Sequence, residues 1–390
     1  MPRSVSNGSH QTDLTEELAR RLIEEAGGSP HAEFLTEMIQ TLLRLVRHQT
    51  SRGDIKILNA ALRELAYAFR VFTPYRGVPK VTMFGSARVP DDSPEYRQAT
   101  AFAQTMSQRG WMVITGAGEG IMKAGQDGAG RGKSFGVNIR LPFEQFANQF
   151  IQRDAKLVTF RHFFTRKLVF VKETDAFALF PGGFGTMDEA FEALTLLQTG
   201  KTALVPLVCV DPPGGDFWPT WDGFVRHMLL DRGLIAEEDL ALYRITDSAE
   251  VAAEEIVDFY RNFHSSRFVG KRLVLRLRHA PNSAELQAIR GSFADILAEG
   301  TFDITEALPE EADEDTLADL PRLVFQFNRR NLGRLRQLID TLNRLAPPAD
   351  GQHTVVGTET SHKLTATNHA DAAPDGSDPD AEVTVETPPA

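Results

Sequence analysis

The 390-residue sequence has a single cysteine, Cys209, set inside the apolar run 203–210. One cysteine cannot close an internal disulfide. Burial is the usual fate of such a residue, and a reducing cytoplasm is the compartment it fits. No run of about 18 apolar residues occurs, so no membrane-spanning helix is expected. Residues 1–14 are polar and lack the apolar stretch of a secretory signal. Excess positive charge is also missing, since the formal net charge is −11. Broad binding to nucleic acid or to an anionic membrane needs a basic field and is not expected here. A small anionic ligand stays open, because a few local donors can hold a phosphate whatever the global charge. The 10 histidines show no metal-ligand spacing, and no Ser/His/Asp order stands out. His162, in Arg161-His162-Phe163, reads as a packed or crevice residue. Neither a metal nor a cofactor is expected.

What is present is a strand–helix alternation. Residues 1–30 are polar and read as a loosely ordered, flexible N-terminus. In residues 31–79 apolar positions recur at helical spacing, first Phe34, Met38, Leu42, Leu45 and Val46, then Ile57, Leu58, Leu62, Leu65 and Phe69, which predicts a helical extension, read as a hairpin packed on the main domain in preference to a partner-binding module. From Lys80 onward short apolar runs are expected as strands at 81–84, 111–114, 135–139, 157–160, 176–180 and 205–210. Helices are expected between and after them, at 96–109, 121–130, 163–172, 187–199, 217–230 and 249–264. Strands apolar on both faces and alternating with helices predict an α/β, Rossmann-like, doubly wound parallel sheet over residues 80–268. Ligands of such sheets bind beyond the carboxyl ends of the strands, where the glycine-containing turns after Phe84, Ile114 and Phe180 all lie. The rhythm then changes to strands at 272–277, 302–304 and 322–327 with helices at 283–298 and 331–345. This predicts a small C-terminal α+β appendage over 269–346. Residues 347–390, rich in Pro, Ala, Asp, Thr and Gly, read as a disordered tail.

Two glycine turns compete for a phosphate. Gly116-Ala117-Gly118-Glu119-Gly120 resembles a dinucleotide fingerprint, but the third glycine falls on Ile121 and no acidic residue ends the next strand, so NAD is not expected. Pro181-Gly182-Gly183-Phe184-Gly185-Thr186 is the stronger signal. Its glycines allow close backbone approach, and Thr186 falls at an N-cap or first-turn position, where a hydroxyl and free N–H groups suit a phosphate. Asp188 and Glu189 follow in the same turn, where they either complement the helix dipole or reach a ribose. Upstream stand Arg166 and Lys167, either a solvated basic pair or cations facing that turn. Arg329, Arg330, Arg334 and Arg336 read as a solvated basic face, or as partners of the acidic stretch 310–315.

Arg166-Lys167 followed at this separation by Pro181-Gly182-Gly183-Phe184-Gly185-Thr186-Met187-Asp188-Glu189 resembles the signature of the Lonely Guy (LOG) family. Phe84-Gly85-Ser86 and residues 115–122 resemble its first two strand motifs, and the likeness covers residues 80–263. The resemblance implies a LOG-like nucleotide-binding catalytic domain. It further implies an N-glycosidase hydrolysing a nucleoside 5′-monophosphate, AMP-like as in AMP nucleosidases, to free base and ribose 5-phosphate. It implies Arg166 and Glu189 as the catalytic pair. It also implies Lys167, Gly182, Gly183, Phe184, Gly185, Thr186 and Thr195, with Gly85, Ser86, Gly118 and Asn148, as nucleotide- or phosphate-binding positions. A homodimer or higher homo-oligomer is implied as well. The lysine decarboxylase label attached to the family would require pyridoxal phosphate, for which the sequence offers nothing. The sequence departs from short family members in lacking a tryptophan near 194–198 and in placing Asn148, with Glu144-Gln145 close by, where the family has a glutamate. These departures bear on base specificity. A non-catalytic nucleotide or cofactor carrier of the same fold is the alternative, and regulation through the 272–345 segment is a further possibility.

Overall fold

The computed structural model describes residues 7–140, 147–312 and 315–346. The expected tail 347–390 and the pair Glu144-Gln145 lie outside the described residues. The chain divides into two compact units at Ala66/Tyr67.

The first unit is helical. Where loose order is expected, helix α1 (Asn7–Glu25) forms instead. It packs on α2 (Ala32–Arg47) and buries Ala19 and Ile23. Its sequence is polar enough to read as unstructured, and a neighbouring helix supplies the burial that isolated helices lack. Helix α3 (Arg52–Phe72) starts in this unit and ends in the second.

In the second unit the last turn of α3 buries Ala68 and Phe72. Phe72 stacks on Phe135 with ring centroids 4.3 Å apart. The main sheet then forms from β1 (Lys80–Phe84), β2 (Met112–Thr115), β3 (Ser134–Ile139), β4 (Leu157–Phe160), β5 (Ala176–Leu179), β6 (Leu207–Val210) and β7 (Arg244–Thr246). All pairings are parallel, in the order β4-β3-β2-β1-β5-β6-β7. The central strands are buried throughout, as continuous apolar runs require when helices cover both faces. Between and after the strands lie α4 (Pro94–Gln108), α5 (Ile121–Ala129), α6 (Phe163–Glu173), α7 (Phe184–Gln198), α8 (Phe217–Phe224), which runs on as a π-helix over Val225–Leu230, and α9 (Ala249–Phe259). Local chemistry sets their ends. Ser93 caps α4 by accepting from the Tyr96 N–H, with Pro94 at the first helical position. Strand order reverses direction between β1 and β5, which opens a crevice at their carboxyl ends.

A second, antiparallel sheet follows, in the order β10-β11-β9-β8. It consists of β8 (Phe263–Val269), β9 (Arg272–Leu277), β10 (Leu297–Thr305) and β11 (Arg322–Phe327), with α10 (Ser283–Ser292) and α11 (Leu332–Leu345). The appendage thus begins at Phe263, not at 269, because residues expected to continue a helix pair instead with β9. The arginines of α11 also depart from expectation. Arg334 pairs with Asp295, and the almost fully buried Arg336 pairs with Glu255 and Asp340. The acidic stretch is taken by strand arginines, Glu310 by Arg272 and Glu311 by Arg276 and Arg322. No helix among the described residues is long and apolar enough to cross a membrane.

Candidate functional site

The crevice at the β1/β5 switch point is a cavity of about 860 Å³. Two turns wall it. The turn after β1 carries Gly85 and Ser86, and the turn after β5 carries Gly182 and Gly183. The Ser86 N–H donates to the Pro181 carbonyl at 3.1 Å, which ties the turns together. A side chain at position 182 has no room, since a Cβ there would run into Thr186 and come within 2.9 Å of the Ser86 nitrogen. Helix α7 starts at Phe184, one turn's edge earlier than the expected 187, with Gly183 as its N-cap and no side chain capping it. Its first N–H groups therefore face the cavity without a side-chain partner, an arrangement suited to an anion.

Arg166 and Glu189 line the same cavity. Arg166, on α6, donates from Nε to the Val137 carbonyl at 2.9 Å, and its guanidinium stands 5.1 Å from the Phe170 ring centre. A Cβ on Gly116 would lie 2.5 Å from Arg166 Nη2, so glycine at 116 makes room for that guanidinium. Glu189, on α7, has a side chain only 11% exposed, with Lys167 Nζ 3.2 Å from its carboxylate. Burial pushes its pKa up to about 7 against the opposing pull of Lys167 and Arg166, with Glu192 adding to the rise. Lys167 also reaches Asp188 at 2.9 Å and Glu192 at 2.7 Å. Burial draws the Lys167 pKa down, but its bonds to Glu192 and Asp188 outweigh this and hold it above the ordinary range. The arrangement can bind an anion at the head of α7 and exchange a proton one turn away.

Residues 118–256 match the family whose description reads "possible lysine decarboxylase". Over 160 residues the chain is 29% identical to the cytokinin riboside 5′-monophosphate phosphoribohydrolase of Mycobacterium tuberculosis, covering 40% of this chain and 81% of that protein. Both likenesses fall on the central sheet domain and agree with its resemblance to the Lonely Guy family. Among solved structures, the Moco carrier protein from Chlamydomonas reinhardtii is 16% identical, with 46% of this chain and 98% of that one covered and a TM-score of 0.32. The molybdenum cofactor binding protein from the phototrophic bacterium Rippkaea orientalis is 19% identical, with 45% and 94% covered and a TM-score of 0.32.

Within this domain the structure brings together Gly85, Ser86, Arg166, Gly182, Gly183, Phe184, Gly185, Thr186 and Glu189 around the cavity. Four expected positions do not line it. Lys167 sits behind Glu189, held by carboxylates. Thr195 is exposed farther along α7. Gly118 offers its carbonyl to the Asn148 side chain at 2.8 Å. Asn148 is buried, and its amide is spent on Gly118 and on Gln126 at 2.7 Å while its oxygen accepts from the Phe150 N–H. Asn148 thus clamps the second glycine turn from behind. Arg88, Met122, Phe163 and Phe217 also line the cavity and were missed in the sequence. Arg88 stands two residues beyond Ser86, so extending the first turn motif would have found it. Phe217 opens α8 after β6 and carries no local signal.

Proposed function

We propose that this cavity is the active site of a hydrolase that cleaves the N-glycosidic bond of a nucleoside 5′-monophosphate, AMP-like, releasing base and ribose 5-phosphate. The observation that carries the reading is the pairing of an uncapped helix N-terminus with a buried carboxyl whose pKa is pushed up to about 7, in one cavity. The first suits the phosphate, and the second suits proton transfer near neutral pH. The 29% identical relative, named for its action on a riboside 5′-monophosphate, supports the same substrate class. In this mechanism the C1–N bond breaks ahead of water attack and leaves positive charge on the ribose ring. Ionised Glu189 offsets that charge and takes a proton from the attacking water as the C1–O bond forms, while the departing base takes its proton from solvent. Arg166, fixed by Val137 and Phe170, orients the nucleotide. No redox step occurs, so no cofactor is required. A second copy of the chain is the expected partner, since Phe163, Phe164, Leu168, Phe184 and Phe191 stand exposed on α6 and α7 near the mouth.

The test is a product assay. The full chain is incubated with AMP, GMP, CMP, UMP and isopentenyl-AMP, and free base and ribose 5-phosphate are measured by chromatography. Base release from at least one nucleotide is expected. Tight nucleotide binding with no base released from any would sink the enzyme reading and favour a carrier.

A further inference from the structure

We propose that Arg88 is a substrate-binding residue that clamps the phosphate against the N-terminus of α7. This inference rests on the nucleotide reading above and names the residue that supplies its positive charge.

The turn 85–88 and the head of α7 form one cradle. Ser86 is bonded to Pro181 across it, and Gly182 packs against the Ser86 nitrogen. Arg88 lines the same cavity two residues beyond Ser86. Its backbone N–H donates to Ser86 Oγ at 3.1 Å, which closes the turn and fixes where the side chain leaves it. A phosphate on the free N–H groups of α7 therefore lies within the span of an arginine rooted on the opposite wall.

The charges of the site lead to the same residue. The resemblance to the LOG family points to Arg166 and Lys167 as the cations of this pocket. In the structure Lys167 is taken by Asp188, Glu189 and Glu192. Arg166 is turned onto the Val137 carbonyl and the face of Phe170. Three carboxylates against these two cations would leave the site negative and repel a dianion. Arg88 restores the balance, and its guanidinium makes no ion pair or hydrogen bond among the described residues. The nearest acid in sequence, Asp91, is held by Lys123 at 2.5 Å. An unpaired guanidinium lining the same cavity as a helix N-terminus makes a two-sided anion site, and its planar fork can take two phosphate oxygens at once. Lys167 then serves to hold the carboxylates, Glu189 among them, and Arg88 to hold the phosphate.

The experiment compares Arg88→Ala and Arg88→Lys with the unaltered full chain. Because Arg88 is exposed and unpaired, both variants are expected to keep the native thermal midpoint. Steady-state kinetics are measured on the best nucleoside 5′-monophosphate and on the matching nucleoside, which lacks the phosphate. Binding of ribose 5-phosphate and of AMP is measured by calorimetry. For Arg88→Ala the KM of the nucleotide is expected to rise about 10- to 100-fold, as for loss of a charge-assisted bond. The Kd of ribose 5-phosphate should weaken by a similar factor, Arg88→Lys should recover part of the loss, and turnover of the nucleoside should stay where it was. Unchanged KM and Kd in Arg88→Ala would overturn the proposal, and so would equal losses on nucleotide and nucleoside. If the unaltered protein releases no base from any nucleotide, the hydrolase reading fails. The calorimetric comparison of ribose 5-phosphate and AMP then still decides the clamp.

Discussion

Glu189 lies where two opposing effects meet. Lys167 and Arg166 favour its charged form, and burial disfavours it more strongly, which places the pKa near 7. The carboxyl is thus half-ionised at neutral pH, the condition under which proton exchange with water is easiest. The rate should follow. We expect kcat/KM to fall as pH drops through about 7, since a protonated Glu189 can neither offset ribose charge nor accept a proton. Glu189→Gln should flatten that profile and lower kcat by about 10²- to 10⁴-fold while nucleotide binding survives. The stability effect has the opposite sense. With the folded pKa above the ordinary value of 4.5, the native state holds the proton more tightly. This contribution to stability is complete below about pH 4.5 and is lost as pH rises through 7. Glu189→Gln should therefore be more stable than the parent at pH 8, by on the order of 1–3 kcal/mol in denaturant titrations. A variant that is less stable at pH 8, or a profile that rises toward acid, would remove the buried-carboxylate account.

At the scale of elements, the turn after β5 was legible in the sequence, because Gly182, Gly183 and Gly185 close together leave a backbone few other places to go. The start of α7 was misjudged by a few residues, since three glycines and an aromatic argue against helix locally and only packing against the β1 turn overrides them. β7 and β8 were missed for a related reason. Arg244–Thr246 and Phe263–Val269 are strands by virtue of their neighbours β6 and β9, not by periodicity. The second sheet carries a buried charge cluster that the sequence did not reveal. Glu311 accepts from Arg276 at 2.6 and 2.8 Å and from Arg322 at 3.2 Å. Burial raises its pKa, but the Leu308 N–H and the two arginines outweigh this and hold it below the usual carboxylate range. His264 alongside is pushed down to about 4 by burial and by Arg278, Arg276 and Arg322. Removing the one carboxylate leaves two buried guanidinium groups facing each other. Glu311→Gln should cost about 3–5 kcal/mol and lower the thermal midpoint by on the order of 10 °C. A midpoint within a degree or two of the parent would show that the cluster contributes little. The parent itself should lose this contribution on acidification, as pH falls through the depressed pKa of Glu311.

For the whole molecule, α6 and α7 each expose large aromatic and aliphatic side chains, the kind of surface that a second chain can cover. Phe184, 97% exposed at the lip of the cavity, is the extreme case. We expect light scattering to give at least twice the chain mass of 43.2 kDa. Phe164→Glu combined with Phe191→Glu should lower the measured mass toward one chain. A parent protein that runs as a single chain at micromolar concentration would count against the association. Helices α2 and α3 of the first unit carry further exposed apolar residues, among them Phe34, Met38 and Val46. Their spacing marks one face, and that face stands exposed where packing was expected.

By itself the sequence determined the layered α/β sheet, the places where its strands end in glycine turns, and the carboxylate and arginine that share a cavity with those turns. These follow from local rules of apolar period, backbone freedom at glycine and fixed spacing along the chain. Only the tertiary structure decided the partners. It spent Lys167 on three carboxylates, drew Asn148 behind the second glycine turn, and set Arg88 on the wall of the same cavity as the head of α7. Which cation meets which anion depends on distances between segments far apart in sequence, and so does how much water a carboxyl loses. No local pattern carries either.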